Sequence, residues 1–511
     1  MHVALTVNDF LNRAELLYPE RVGIIDEPDQ PAPSWGSLTY AEVADRARAL
    51  AAGLDALGIA TGERVAIVSH NSARLITALF GVSGSGRILV PINFRLVAQE
   101  IAYIVEHSGA RILLVDPELD EALSEVTCER RLVIGDESDD TLFRRGVEPR
   151  PWDADESATA TINYTSGTTA RPKGVQLTHR NVWINATTFG WHMGVDDRDV
   201  YLHTLPQFHC NGWGMLYAVT GMGAGHVVLR KVDGAEILRR VEQHGVTLMC
   251  GAPAVLNMVL DAASTWDGPI PGSGRTRIVV AGAPPPTRTI ERTETELGWE
   301  FAQIYGLTET SPLLTINRRR AEFDDLSPAE RAGRLGRAGG PAIGCTMAVD
   351  EDGEVLARSN VVMEGYWNQP AATAEAIVDG WFRTGDGGSI DEHNYVVISD
   401  RKKDVIISGG ENVSSIEVED AIFQHPDVAE VAVIGIPDEK WGELVTALVV
   451  TVPDSKLSAD DVIAWTKQRL AGYKCPKRVE FRSELARTAT GKLQKYKLRE
   501  PFWSGHDRQV H

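Results

Sequence analysis

Residues 164–174 read YTSGTTARPKG and pack the hydroxyls of Thr165, Ser166, Thr168 and Thr169, two glycines (Gly167, Gly174) and Lys173 into one loop. A strand at 160–164 leads into it. Such a loop offers backbone N–H groups, hydroxyl donors and a cation together, which suits an oligophosphate. It is not a P-loop, because the lysine precedes Gly174 and no Ser or Thr follows it. A generic Ser/Thr/Gly stretch is usually a polar surface loop, but this order of residues is more specific. Four other stretches gather charges and hydroxyls among glycines. They are YGLTET at 305–310, GWFRTGD at 380–386, SDRKKDVIISGGEN at 399–412 and TATGK at 488–492.

Taken together and in this order, the five stretches resemble the signature of the adenylate-forming superfamily, which includes acyl-CoA synthetases, luciferases and peptide-synthetase adenylation domains. They span the chain from Tyr164 to Lys492. The resemblance implies ATP, Mg2+ and CoA as reactants and cofactors. A carboxylate is joined to AMP with release of pyrophosphate, and the acyl group then passes to a thiol. The first step drives an anion onto an anion, so charge on the α-phosphate must be neutralised and the attack oriented.

Residue by residue, the resemblance makes Lys492 the catalytic cation, in a turn with Thr490 and Gly491. Lys495 and Lys497 nearby read as solvated. Thr308 is expected to hold a phosphate, and Glu309 the magnesium. Tyr305 offers a ring face to adenine, and Gly282, Ala283 and Pro284 match the adenine-contacting loop. Gly306 belongs to the same nucleotide site, with Thr165, Ser166, Gly167, Thr168, Thr169 and Lys173 around the phosphates. Asp386 and Arg401 match the ribose-contacting acid and base; their ordinary reading is an ion pair. Lys403 matches the hinge about which a C-terminal domain swings. Gly409 and Gly410 match the loop lining the pantetheine tunnel. His209, Trp213, Gly282, Gln303 and Gly306 are expected around the acyl group, and His209, Thr308 and Glu309 are expected to act with Lys492 as catalytic residues.

The wording FHCNGW, with GGENVSSIEVE at 409–419, is similar to acyl-CoA synthetases of medium-chain fatty and aromatic acids. Departures are modest. Ala170 replaces a usual glycine, which stiffens the phosphate loop. Ala486-Arg487 replaces Pro-Lys, and Gly387-Gly388 follows Asp386. None removes a charged group. Residues 205–225 contain no Asp or Glu to meet a substrate ammonium, and no Lys or Arg to meet a second carboxylate. An unpaired buried ammonium is costly, so an apolar monocarboxylic acid is expected: fatty, aromatic or polycyclic. Trp213, Met215, Leu216 and Tyr217 are read as apolar wall. Gly212, Gly214, Gly221 and Gly223 are read as room. Gln303 could accept from a hydroxyl. The rivals are an acyl-AMP ligase that loads a carrier-protein phosphopantetheine and a non-catalytic nucleotide-binding regulator. The retained Lys173, Glu309, Asp386, Arg401 and Lys492 argue against the regulator.

The elements that must position these residues follow from pattern. Thr39 and Glu42 have capping-box spacing before a helical run through Val43, Ala47, Leu50, Leu54 and Leu57. Strands at 64–69 and 88–91 flank a helix at 73–80, a unit that favours parallel sheet with covered faces. Similar strands recur at 199–205, 224–229, 246–250 and 277–281. The fold class is therefore α/β. A large N-terminal domain of α/β sheets, 1–400, holds a small β-rich subdomain at about 333–400. A mobile α+β C-terminal domain follows at 401–511, with helices at 416–423 and 460–470 and strands at 428–436 and 445–452.

The whole chain has 511 residues and a net charge of −20, which argues against nucleic-acid or anionic-membrane binding. Five scattered cysteines show no metal-ligand spacing. The first twenty residues lack a signal peptide's basic start and apolar run. A cytoplasmic protein is expected, with a homodimer open.

Overall fold

The computed structural model describes residues 1–165, 171–401, 404–408, 411–438, 440–488 and 492–503. Its strands form four sheets among these residues. A seven-stranded sheet runs, from one edge, through Gly365–Tyr366, Lys173–Thr178, Thr159–Thr165, Ile88–Ile92, Arg64–Val68, Ala110–Val115 and Arg130–Val133. A nine-stranded sheet contains Thr315–Arg318, Glu300–Tyr305, Arg277–Val280, Leu248–Gly251, Val200–His203 and Gly225–Val228 as consecutive neighbours. A small antiparallel sheet between Cys345 and Arg401 and a C-terminal sheet from Ile406 to Phe481 complete the set.

Local sequence accounts for these elements. Thr39 and Glu42 close a reciprocal capping box at the helix Tyr40–Ala56, so two orphan donors of its first turn are satisfied. The strand Arg64–Val68 is buried on both faces, and it pairs in parallel with Ile88–Ile92 and Ala110–Val115. Its unbroken apolar run is what a doubly covered strand requires. The C-terminal unit has the expected alternation: helix Ser415–Phe423, strand Val428–Asp438, strand Gly442–Thr451 and helix Ala459–Lys467. The strand Val396–Arg401 runs across position 400, where the domain division was expected.

Two features of topology position the chemistry. Leu248–Gly251, Arg277–Val280 and Glu300–Tyr305 lie parallel and in register, with Gly251 opposite Val280 and Val280 opposite Gln303. Loops after their carboxyl ends therefore emerge side by side, where open α/β sheets bind ligands. In the other sheet, Thr165 pairs with Lys173, and Tyr366 with Val175. Tyr366 is thereby delivered to the base of the hydroxyl-rich hairpin.

Candidate active site

The mouth of that hairpin is fixed by Thr165 and Lys173. Ser166, Gly167, Thr168, Thr169 and Ala170 lie outside the described residues, as do Lys402, Lys403, Gly409, Gly410, Thr490 and Gly491. Lys173 Nζ sits 4.7 Å from the centroid of the Tyr366 ring. The Tyr366 hydroxyl donates to Glu309 Oε1 at 2.9 Å. Glu309 itself stands in the single turn Thr308–Thr310, where its carbonyl accepts from Met363 N at 2.8 Å. Among the described residues that phenol is the one hydrogen-bond donor to the carboxylate. Its second oxygen fits a metal ion that takes one protein ligand and completes its shell with phosphate and water, as Mg2+ does. No cluster of three or more His, Cys, Asp or Glu that could hold a metal exists among the described residues. Burial and then the Glu309 charge push the Tyr366 phenol far up, so it stays a donor. Sequence reasoning missed Tyr366, whose role depends on the edge-strand pairing with Val175.

Gly306 is explained by packing. A Cβ there would lie 1.5 Å from Pro312 O, so the backbone of YGLTET can fold back only without a side chain. Thr308 is 9% exposed, and its carbonyl faces Cys210 Sγ at 3.9 Å.

Asp386 and Arg401 are cross-strand partners on the strands Trp381–Ile390 and Val396–Arg401. Asp386 accepts from Arg401 Nε at 3.0 Å and from the Tyr305 hydroxyl at 2.8 Å. The acid's side chain is 6% exposed, whereas 36% of the arginine's remains open. Burial pulls the guanidinium down, but the charges of Asp386, Glu309 and Asp404 outweigh it and raise its pKa above the ordinary value. The Tyr305 phenol is held well above its usual range by burial and by Asp386. Nearby, Gly282 adopts φ +88 with open space where a Cβ would stand, beside partly exposed Ala283 and exposed Pro284. Gln303 is 5% exposed, and its Oε1 is a buried acceptor with no hydrogen-bond partner among the described residues. An acceptor left without a donor costs roughly 1–3 kcal/mol, so it fits a ligand N–H or O–H.

His209 opens a turn that sequence reasoning did not foresee. Cys210, Asn211, Gly212, Trp213 and Gly214 all have positive φ, between 47 and 76. A left-handed residue other than glycine costs about 1–2 kcal/mol, so buried contacts must hold this segment. Asn211 Nδ2 donates to Thr161 Oγ1 at 3.0 Å, and Asn163 Nδ2 to Asn211 Oδ1 at 3.2 Å. Asn185 Nδ2 donates to Trp213 O at 3.0 Å. The Asn-Gly pair at 211–212 was the available signal, since both types tolerate this region.

The same segment corrects the expected pocket. Met215, Leu216 and Tyr217 have no exposed surface and pack in the core, behind any ligand-facing wall. Gly221 and Gly223 leave no room: a Cβ would meet Phe10 at 2.7 Å and Tyr18 at 2.1 Å. Trp213, 4% exposed, is the residue of that apolar group nearest to a surface. Lys495 is also reassigned. Its side chain is only 10% exposed, with Nζ 2.8 Å from Glu419 Oε1, while Lys497 is exposed.

Lys492 closes the site. Its backbone N donates to Thr488 Oγ1 at 3.0 Å, and Thr488 N to Lys492 O at 2.6 Å, so the two ends of TATGK are held together. The His209 imidazole falls to about 4, first through burial and then through the Lys492 cation. The Glu309 charge reaches Cys210 and Arg401. Electrostatics thus joins Lys492, His209, Glu309, Arg401 and Asp386 into one region with cations at Lys173, Arg401 and Lys492. Such a region can hold a nucleoside triphosphate and stabilise charge on its phosphorus.

The model of the AMP-binding enzyme family matches residues 16–367, and that of the AMP-binding enzyme C-terminal domain matches 417–492. The chain is 36% identical to 4-hydroxybutyrate–CoA ligase 2 of Metallosphaera sedula, over 96% of this chain and 93% of that one. It is 35% identical to a 2-methylpropanoate–CoA ligase of Humulus lupulus, over 97% and 95%. The solved O-succinylbenzoate coenzyme A synthetase of Bacillus subtilis, in complex with ATP and magnesium ion, superposes with TM-score 0.81 at 29% identity. That match covers 96% of this chain and 99% of the other. No helix among the described residues is long and apolar enough to cross a membrane.

Proposed function

We propose, from the premise that this chain belongs to the AMP-binding enzyme family and is an AMP-forming acid–CoA ligase using ATP, Mg2+ and CoA, that its acid is an apolar monocarboxylate. The observation that carries this is segment 205–225, which holds no Asp, Glu, Lys or Arg and whose Trp213 is the apolar side chain at the His209 turn. Fatty, aromatic and polycyclic acids all satisfy it. The names of the relatives, 4-hydroxybutyrate and 2-methylpropanoate ligases, favour the short aliphatic end.

In this reading a carboxylate oxygen of the acid attacks the α-phosphorus of ATP, and the bond to pyrophosphate breaks. Lys492 meets the charge that builds on the α-phosphate. Lys173, Thr165 and the loop 166–169 hold the outgoing phosphates, and Thr308 joins them. Glu309, steadied by Tyr366, holds the magnesium, which supplies further charge neutralisation. Asp386 and Arg401 orient the ribose, and Gly282, Ala283, Pro284, Tyr305 and Gly306 enclose adenine, while Gln303 stands on the acyl side. His209, neutral at pH 7, stands beside the attacking carboxylate without repelling or pairing with it.

The CoA thiol then attacks the acyl carbon, and AMP leaves. For that step the C-terminal domain, 401–511, turns against 1–400 about Lys403, and Gly409 and Gly410 line the pantetheine path. Every residue named comes from one chain, so a homodimer would leave the site intact. All five thiols are free, which suits the reducing cytoplasm.

The test is pyrophosphate release with ATP across acetate, butyrate, longer fatty, aryl, polycyclic and amino acids at matched concentration. An apolar acid is expected to exceed every α-amino acid at least about tenfold, a gap of roughly 1.4 kcal/mol. A preference for an amino acid overturns the substrate reading and leaves the ligase chemistry standing.

A further inference from the structure

Three residues after Lys492, a largely covered ion pair begins a path toward the Thr287 helix. Lys495 Nζ lies 2.8 Å from Glu419 Oε1, and Glu419 stands on the helix Ser415–Phe423. The next residue of that helix, Asp420, reaches out of the C-terminal unit. Its Oδ1 accepts from Thr287 N at 3.0 Å and from Thr287 Oγ1 at 3.1 Å. Thr287 begins the short helix Thr287–Arg292, which directly follows the loop of Gly282, Ala283 and Pro284. That helix is preceded by Pro286, which supplies no side-chain cap of its own. A second bond lies alongside, from Arg288 NH1 to His425 O at 3.1 Å.

We infer that Asp420 is a positioning residue: it caps the Thr287 helix from the other domain and so clasps the C-terminal unit in the orientation that presents Lys492 to the adenylation site. The inference rests on the reading above, in which this unit reorients between the two half-reactions. Three features support it. The capping is supplied from the other unit of the chain, so the N–H of Thr287 has this partner only while the two units are docked this way. The clasp is tied to Lys492 through the Glu419–Lys495 pair, since Lys495 stands three residues beyond Lys492 in the chain. It also lies beside the candidate adenine loop, so docking and nucleotide enclosure are linked. Asp420 touches no reactant.

The half-reactions separate the claim from a merely structural role. Acyl-adenylate formation is followed as pyrophosphate release without CoA, and thioester formation as CoA consumption from supplied acyl-adenylate. Asp420→Ala is expected to slow the first step about tenfold or more and to leave the second within about twofold. Asp420→Asn, which keeps one acceptor, should fall between. Thr287→Ser should behave as wild type, and Thr287→Val should lose rate in the first step alone. Adding Thr287→Val to Asp420→Ala should cost little more, as expected for two ends of one contact. Equal slowing of both steps, or no slowing, overturns the clasp. Deuterium uptake at 287–292 judges it without any activity: uptake should rise several-fold in Asp420→Ala, and unchanged uptake overturns it. A wild-type protein that releases no pyrophosphate with any acid would instead overturn the function reading.

Discussion

Replacing Asp386 by Asn keeps the side chain's size and one acceptor oxygen but removes its charge. In the structure that carboxylate serves Arg401 Nε at 3.0 Å and the Tyr305 hydroxyl at 2.8 Å. Its expected ligand is the ribose, whose two hydroxyls both need an acceptor. A charge-assisted hydrogen bond contributes about 1.5–3 kcal/mol and a neutral one about 1. Asn satisfies one ribose hydroxyl weakly and leaves the other without its acceptor, so ATP binding should weaken by about 1.5–3 kcal/mol. That corresponds to a rise in KM for ATP of roughly 10- to 150-fold. The effect on folding should be smaller. Arg401 keeps 36% of its side chain in solvent, which screens the lost attraction to about 1 kcal/mol. Pyrophosphate exchange at varied ATP, beside a thermal melt, measures both quantities. An unchanged KM with a melting temperature lowered by several degrees would make Asp386 a structural ion-pair partner and refute the ribose assignment.

Lys492→Ala should slow acyl-adenylate formation about a hundredfold or more while ATP still binds, because a group acting mainly in the transition state lowers kcat; equilibrium ATP binding and single-turnover pyrophosphate release check this. Tyr366→Phe removes the donor to Glu309 Oε1, and the Mg2+ concentration for half-maximal rate should rise several-fold with the ATP-saturated rate little changed; an unaltered Mg2+ titration would detach Tyr366 from the metal. Burial lowers His179 and His209 to about 4 and His226 to about 3, and holds His203 well below its usual value. The unfolded chain therefore binds more protons once pH falls below about 6.5. The melting temperature should drop steadily from pH 6.5 to 4.5 and show no such slope from pH 7 to 8, and a flat acid limb would contradict these burials.

What was legible in the sequence was local or carried in contiguous motifs. The Thr39–Glu42 box and the parallel strand Arg64–Val68 follow from spacing and from an unbroken apolar run. Asp386 and Arg401 were each recognised from their own motif, and strand pairing brought them together. What escaped depends on packing across distance. Tyr366 meets Glu309 57 positions away through an edge-strand pairing that no periodicity encodes. Gly221 and Gly223 could have made space or accepted a neighbour, and only the seats of Phe10 and Tyr18 decide between them. Lys495 looks like its neighbours in sequence, but the fold buries it against Glu419.

The most direct test of the central claim is the fate of a carboxylate oxygen. Butyrate labelled with 18O in its carboxylate is incubated with the enzyme, ATP, Mg2+ and CoA, and the phosphorus products are examined by mass. Attack of the acid on the α-phosphorus, followed by thiol attack on the acyl carbon, places one labelled oxygen in AMP and none in pyrophosphate. Label in orthophosphate together with ADP would mean that the acid is activated at the γ-phosphorus, and would contradict the account.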